Sequence, residues 1–403
     1  FILGILIFID DYFNCLTVGS VMRPVTDRHQ ISRPKLAYLI DATAAPVCMI
    51  APISSWAAAV SSTAQDLDTG ISGIQLFIRA IPYNFYSFLT FVFIITLTLL
   101  RFDYGPMRGF EERARSTGDL SAAPGSAEEN ANPKGRVIDL IIPVVVLIIT
   151  CTIGMIYVGG FFGADASGCT DYAGDFIGAF GNTDAFVGLP WGGLISLIIT
   201  VLYLIARRVV GFREAMACIP KGFQAMISPI IILTLAVSLK TTLNALDAAG
   251  YVHDLMYAAS EGLYNMLPAV IFLVACVLAF ASGTSWGTFG ILIPIVTAIF
   301  PGDSSLLYIG ISACCAGAVC GDHCSPISDT TIMSSAGAQC EHVNHVATQL
   351  PYAITVACLS FVCFALAGFI QNWVICLAIG IVLTVCTLLV IRRNEARRAR
   401  IKD

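Results

Sequence analysis

The amino-acid sequence predicts an all-α polytopic membrane protein with about ten to eleven transmembrane helices, some broken or paired as hairpins, and a two-fold internal repeat. Three observations lead there. Of 403 residues, 57% are apolar and 12% are charged, against about 45–50% and about 25% in an average soluble domain. The apolar residues come in runs long enough to span a bilayer. The 22 Lys and Arg lie in clusters between those runs. A soluble enzyme, a disordered chain and a nucleic-acid binder are excluded. An outer-membrane barrel is disfavoured, because its strands alternate apolar and polar residues.

Four basic residues fall in 23–35, six in 101–136, four in 207–221 and six in 392–402. Only Arg79 and Lys240 lie elsewhere. Such clustering is the positive-inside pattern. It assigns the chain to the inner (plasma) membrane as a multi-pass protein, with its basic loops and C-terminus in the cytoplasm. Segment 161–184 has four Asp and no base, which assigns it to the outside. Most of the 15 cysteines sit inside apolar runs, as small hydrophobes rather than a disulfide framework. Only nine residues precede Asp10. They make about half a span, so an N-terminal part is expected to precede them.

Along the chain, the reading gives five regions. Residues 1–100 are the first transmembrane region: the end of a span over 1–22, a span over 36–61, an interfacial or re-entrant stretch over 62–82 and a span over 83–100. Residues 101–136 are a flexible hydrophilic loop. The middle region, 137–243, holds spans at 137–160, 185–206 and 223–243. The second-half region, 244–391, holds a broken segment at 264–300 and spans at 305–321, 347–370 and 372–391. Residues 392–403 are a basic tail. The repeat is read from spacing: Asp27 to Tyr38 matches Glu341 to Tyr352, and the Ser54-Ser55-Trp56 motif resembles Thr284-Ser285-Trp286.

Ionisable groups inside a span cost about 2.5–3.5 kcal/mol on insertion scales, so they are functional candidates. The first cluster holds Asp10, Asp11 and Asn14, where a simple helix end in the headgroup region is the alternative. The second holds Asp41 and Thr43, with Pro46 and Pro52 freeing backbone carbonyls nearby. Hard cations such as Na⁺ prefer these oxygens; a kinked structural helix is the alternative. The third and richest is Asp322, His323, Ser325, Ser328, Asp329, Thr330 and Thr331. Gly321 and Pro326 break the helix there, and such breaks are tolerated at membrane depth where they line a cavity. A solvated loop is the alternative. Gly283, Thr284, Ser285 and Trp286 suit a hairpin tip or close helix packing. Lys240 could neutralise a carboxylate, bind an anionic substrate or snorkel to the interface. Cys320, His323, Cys324, Cys340, His342 and His345 match no familiar zinc spacing, so no structural metal is expected.

At these residues the chain resembles the NhaC-type sodium/proton antiporter family, within the broader ion-transporter superfamily. The resemblance is carried by residues 321–332 (GDHCSPISDTTI) and 345–352 (HVATQLPY). It is supported by 9–14 (IDDYFN), Arg23-Pro24, 41–46 (DATAAP), the Ser-Ser-Trp motif, 282–289 (SGTSWGTF) and, more loosely, 233–240 (LTLAVSLK). It implies inverted halves with hairpins and broken helices, and exchange of Na⁺ for H⁺. Some relatives exchange organic acids such as malate and lactate. The span count, in contrast, puts the two polar stretches on one side.

The expected mechanism is competition of Na⁺ and H⁺ for one carboxylate-centred site. Asp322 and Asp329 hold the ion there, Ser325, Ser328 and Thr330 donate oxygen, and His323 relays protons. Asp10, Asp11, Asn14 and Asp41 are their first-half counterparts. No cofactor is expected beyond the transported Na⁺ and H⁺. The expected partners are the lipid bilayer, the two ions and a second copy in a homodimer; no nucleic acid is expected. The rival readings are a sodium-coupled organic-acid or amino-acid exchanger and, from another class, an intramembrane enzyme or zinc-dependent scaffold. Without a nucleophile–base–orienter set or a Walker A motif, enzymatic chemistry is not expected.

Overall fold

A computed structural model describes residues 2–64, 71–122, 134–136, 138–165, 168, 170–181, 183–225, 227, 231, 234–235, 238, 242, 261–300 and 302–402. Among them every regular element is helical. The first half holds α1 (Ile2–Leu6), α2 (Asp11–Arg28), α3 (Arg33–Cys48), α4 (Ser55–Ala64), α5 (Gly73–Ala80), α6 (Phe85–Leu100) and α7 (Pro106–Thr117). Next come α8 (Ile138–Val158), α9 (Phe176–Gly181), α10 (Ala185–Ala206) and α11 (Phe212–Ala225). The second half holds α12 (Glu261–Ser282), α13 (Ser285–Ile299), α14 (Ser305–Cys324), α15 (Asp329–Ala338), α16 (His342–Ile370) and α17 (Trp373–Lys402).

Six described helices are long and apolar enough to cross a membrane, or seven if α5 and α6, bent by 42°, are one span. Most of the 223–243 span and Lys240 lie outside the described residues. The central helix is α14, 94% buried along its apolar window. Its Ala, Gly and Cys side chains let α12, α13 and α16 pack closely around it. By contrast, α8 and α10 pair with each other and turn most of their surface outward, at 17% and 11% buried. In a bilayer that apolar exterior faces lipid.

The spans predicted at 1–22 and 36–61 are both interrupted. The first breaks between α1 and α2, the second between α3 and α4. Asp10 caps α2 through Phe13 N–H at 2.8 Å. Asn14 Nδ2 donates to Gly4 and Ile7 carbonyls, each at 2.8 Å, and so binds the first break. Ser54 caps α4 and donates to Cys48 O at 2.6 Å. The two breaks touch, with Ser55 N donating to Ile9 O at 2.7 Å. The segment 101–136 is not wholly a loop, since it contains α7. Gly105 and Gly118 bound that helix in positive-φ conformations, and its Met107, Glu111 and Ala114 are buried. Its polar composition hid that buried stripe.

The basic clusters meet one another. Lys35 Nζ pairs with Asp103 at 2.6 Å, and Glu111 accepts from Ser32 N–H at 2.8 Å. Arg108 pairs with Glu395 at 3.1 Å. Arg207 and the Arg136 backbone both reach Asp139. The contacts of Lys35, Glu111 and Arg108 gather the ends of α3, α7 and α17 into one charged layer, while Asp139 ties the start of α8 to the end of α10.

Helices α2 and α15 run side by side in the same direction. Their contacts advance in step, from Tyr12–Asp329 through Cys15–Ser334 to Gly19–Gly337. A Cβ on Gly19 would sit 2.4 Å from the Gly337 carbonyl carbon. Gly19→Ala should therefore overpack this crossing and cost about 1–3 kcal/mol. Thermal unfolding in detergent measures this, and an unchanged midpoint would contradict the close approach.

Candidate functional site

Four helix starts converge between the halves: those of α2, α4, α13 and α15. Helix starts carry unpaired N–H groups and a partial positive charge. Asp11 and Asp329 each occupy the first position of a helix, α2 and α15. Ser328 caps α15 and Thr284 caps α13. Gly283 precedes that cap at φ +67°, and a Cβ there would meet Ile327 O at 2.6 Å. So glycine is required where the α12–α13 break lies against the α14–α15 break.

Around these starts the carboxylates gather. Asp11 is fully buried and accepts from Trp56 Nε1 at 3.0 Å. Tyr12 donates its hydroxyl to Asp329. Asp322, also fully buried, accepts from Thr330 Oγ1 at 3.0 Å and Ser285 Oγ at 3.4 Å, both on Oδ2. Its Oδ1 meets no donor. Asp329 is within electrostatic reach of both Asp11 and Asp322. Among the described residues no Lys or Arg pairs with any of these three. Trp56 and Trp286 meet with their rings tilted, 5.9 Å between centroids, so the two similar tryptophan motifs meet in space.

Asp41 lies in a different setting. It accepts from Thr331 Oγ1 at 2.9 Å, Ser334 Oγ at 3.3 Å and Gln349 Nε2 at 2.6 Å. Three neutral donors satisfy it, which sets it apart from the open oxygen of Asp322. Gln349 also donates to His323 O at 2.8 Å. His323 Nδ1 pairs with the Tyr86 hydroxyl at 3.0 Å, and its Nε2 has no partner.

Several predicted residues serve the scaffold. Thr43 Oγ1 donates to Leu39 O at 2.7 Å, within its own helix. Ser325 donates to Phe280 O at 2.8 Å and ties the break to α12. Asp10, Asn14, Ser54, Ser55 and Thr284 cap or join breaks. The six soft side chains weighed for zinc form no metal-binding group among the described residues. Sequence reasoning named Thr331 but missed Tyr12, Trp56 as a donor to Asp11, Ser334 and Gln349, and weighed His345 only as a zinc ligand. All act across long sequence separations. Tyr12, Trp56, Gln349 and His345 lay in quoted motifs but were given no such role, and Ser334 lay in none.

The fold and site define a membrane transporter with broken helices around buried carboxylates. The chain belongs to the Na⁺/H⁺ antiporter family, whose model matches residues 47–369. It is 39% identical over 368 residues to an uncharacterized protein of Haemophilus influenzae, covering 90% of this chain and 69% of that one. It is 28% identical over 193 residues to the malate-2H⁺/Na⁺-lactate antiporter of Bacillus subtilis, covering 46% of this chain and 40% of the relative. An arginine/ornithine antiporter, ArcD, of Halobacterium salinarum is 32% identical over 124 residues, covering 30% of this chain and 25% of the relative. No solved structure matches the chain.

Removing one partner of a buried hydrogen bond costs about 1–3 kcal/mol, whereas removing both can be nearly neutral. Trp56→Phe should therefore lower the unfolding midpoint. Trp56→Phe combined with Asp11→Leu should recover part of the loss. A double variant whose losses simply add would rule out the coupling.

Proposed function

We propose that the chain exchanges Na⁺ for H⁺ through a site centred on Asp322 and Asp329. The observation carrying this reading is the buried Asp322 Oδ1 without a donor, beside a second carboxylate and without a pairing base. Two such carboxylates repel each other when both are ionised. A bare alkali ion or a proton relieves that repulsion. Na⁺ takes oxygen ligands, which Asp322, Asp329, Ser328 and Thr330 supply. Asp11 adds a third charge from the other half, positioned by Trp56. The helix starts stabilise the carboxylates as anions between ions. A loaded site is closer to neutral and cheaper to move than an empty one, so exchange is favoured over leak. The charged layer that gathers the basic loops and tail belongs, on this reading, on the cytoplasmic side of the inner membrane.

A second reading, sodium-coupled exchange of organic acids, is favoured by one observation. Four helix starts and the unpartnered Trp286 Nε1 and His323 Nε2 supply donors suited to a carboxylate. The similarity to the malate-2H⁺/Na⁺-lactate antiporter points the same way.

Attraction between unit charges 4 Å apart is about 4 kcal/mol at an effective dielectric of 20, or roughly a thousandfold in affinity. Asp322→Asn and Asp329→Asn should each abolish Na⁺-driven proton movement in proteoliposomes of the full-length protein. Undiminished exchange in both variants would remove these residues from the mechanism. Malate or lactate that blocks Na⁺ flux in the wild type would decide for the second reading.

A further inference from the structure

Beside Asp41 lies a row of groups that the exchange site does not use. His345 is fully buried, with Nε2 at 3.0 Å from Gln349 Oε1 and 3.9 Å from Asp41 Oδ2. Its Nδ1 lies 2.8 Å from Ser335 Oγ and 3.2 Å from Thr331 O. Ser335 Oγ lies in turn 3.1 Å from His342 Nδ1, and 2.7 Å from Thr331 O. His342 is partly exposed beside the exposed Glu341, and its Nε2 sits 2.7 Å from Pro326 O. The row is hydrogen-bonded from His345 to the partly exposed His342 at the start of α16, and a 3.9 Å step separates His345 Nε2 from Asp41. Its other polar neighbours are Asn344, bonded to Glu341, and the buried Cys340. Arg33 stands at the same end, donating to Ala338 O and Asp27.

The network fixes the proton positions. Gln349 gives its amide N–H groups to Asp41 and His323 O. Its oxygen must then accept, so His345 carries its proton on Nε2. That leaves Nδ1 as an acceptor, which Ser335 reaches once its hydroxyl proton turns from Thr331 O.

We infer that His342, Ser335 and His345 form a proton path between water and Asp41. An imidazolium at His342 donates its Nδ1 proton to Ser335 Oγ, and Ser335 passes its own hydroxyl proton to His345 Nδ1. His345 releases its Nε2 proton to Asp41 Oδ2 after the ring swings about 1 Å closer, to hydrogen-bond distance. Asp41 ends protonated, both histidines end neutral, and Ser335 keeps one proton. His342 then retains Nε2–H toward Pro326 O, and His345 holds Nδ1–H toward Thr331 O. The path supplies protons to the exchange reading above and deepens it. Its geometry does not depend on which ion or acid is exchanged.

The test is time-resolved infrared spectroscopy of the full-length protein after a jump from about pH 8 to about pH 5, where histidines charge. The carboxyl band of Asp41 is identified by its loss in Asp41→Asn. Ser335→Ala and His342→Ala should each slow its rise by about a hundredfold or more, in the range of lost acid–base relays. Ser335→Thr, which keeps the hydroxyl, should restore the rate, and added imidazole should accelerate His342→Ala. Wild-type rates in both alanine variants would overturn the path. So would slowing that neither threonine nor imidazole reverses, or a wild type in which Asp41 never takes up a proton. The jump needs no Na⁺, so a failed Na⁺ flux assay would sink the exchange reading and leave this result standing.

Discussion

Acidic side chains held inside an apolar slab require helices that stop and restart beside them. Continuous helices offer a carboxylate no free donors, because their N–H groups are already bonded. At the start of a helix the first N–H groups are free and the dipole favours an anion. Asp11 and Asp329 sit at such starts. Each interruption has a sequence cause. Pro52, Gly283 and Pro326 deny the backbone its regular path, and Asp10, Ser54, Thr284 and Ser328 cap the restart. The close crossing at Gly19 and Gly337 then holds two restarts near enough for Tyr12 to reach Asp329.

The carboxylates differ in how fully they are bonded. Three neutral donors on α15 and α16 meet Asp41. One oxygen of Asp322 has none. A saturated carboxylate loses hydrogen bonds when a cation approaches, because its donors must turn away. An open oxygen loses nothing. The two environments lie within one network, linked by the short segment from Asp322 to Thr331.

Much of the fold was legible because hydropathy and helix length are local. The predicted 185–206 span coincides with α10, and 137–160 lies close to α8. The broken segment at 264–300 is the α12–α13 pair. Breaks over 36–61 were harder to read, since Pro46 lies within α3 while the interruption falls after Cys48. Residues 320–331 stood out because so many polar groups follow an apolar run. Their partners did not. Gln349 meets Asp41 across 308 residues, and Tyr12 meets Asp329 across 317. Nothing local marks such a pair. Capping roles of Asp10 and Asn14 were hidden for the opposite reason: a polar residue at a helix start reads the same whether it binds an ion or the backbone.

The direction of α2 and α15 bears on how the halves relate. Asp11 and Asp329 both open a helix, and Gly19 and Gly337 both lie eight residues further on, in contact. Two helices that touch at matching positions and run the same way can be exchanged by an axis along their length. The parallel course is a relation between these two helices. The consequence is physical. Both helices point their positive ends at the carboxylates and end near the charged layer, where Arg33 joins them through Ala338 O and Asp27. A displacement of that layer would move both helix starts together, and with them the field that Asp11 and Asp329 feel.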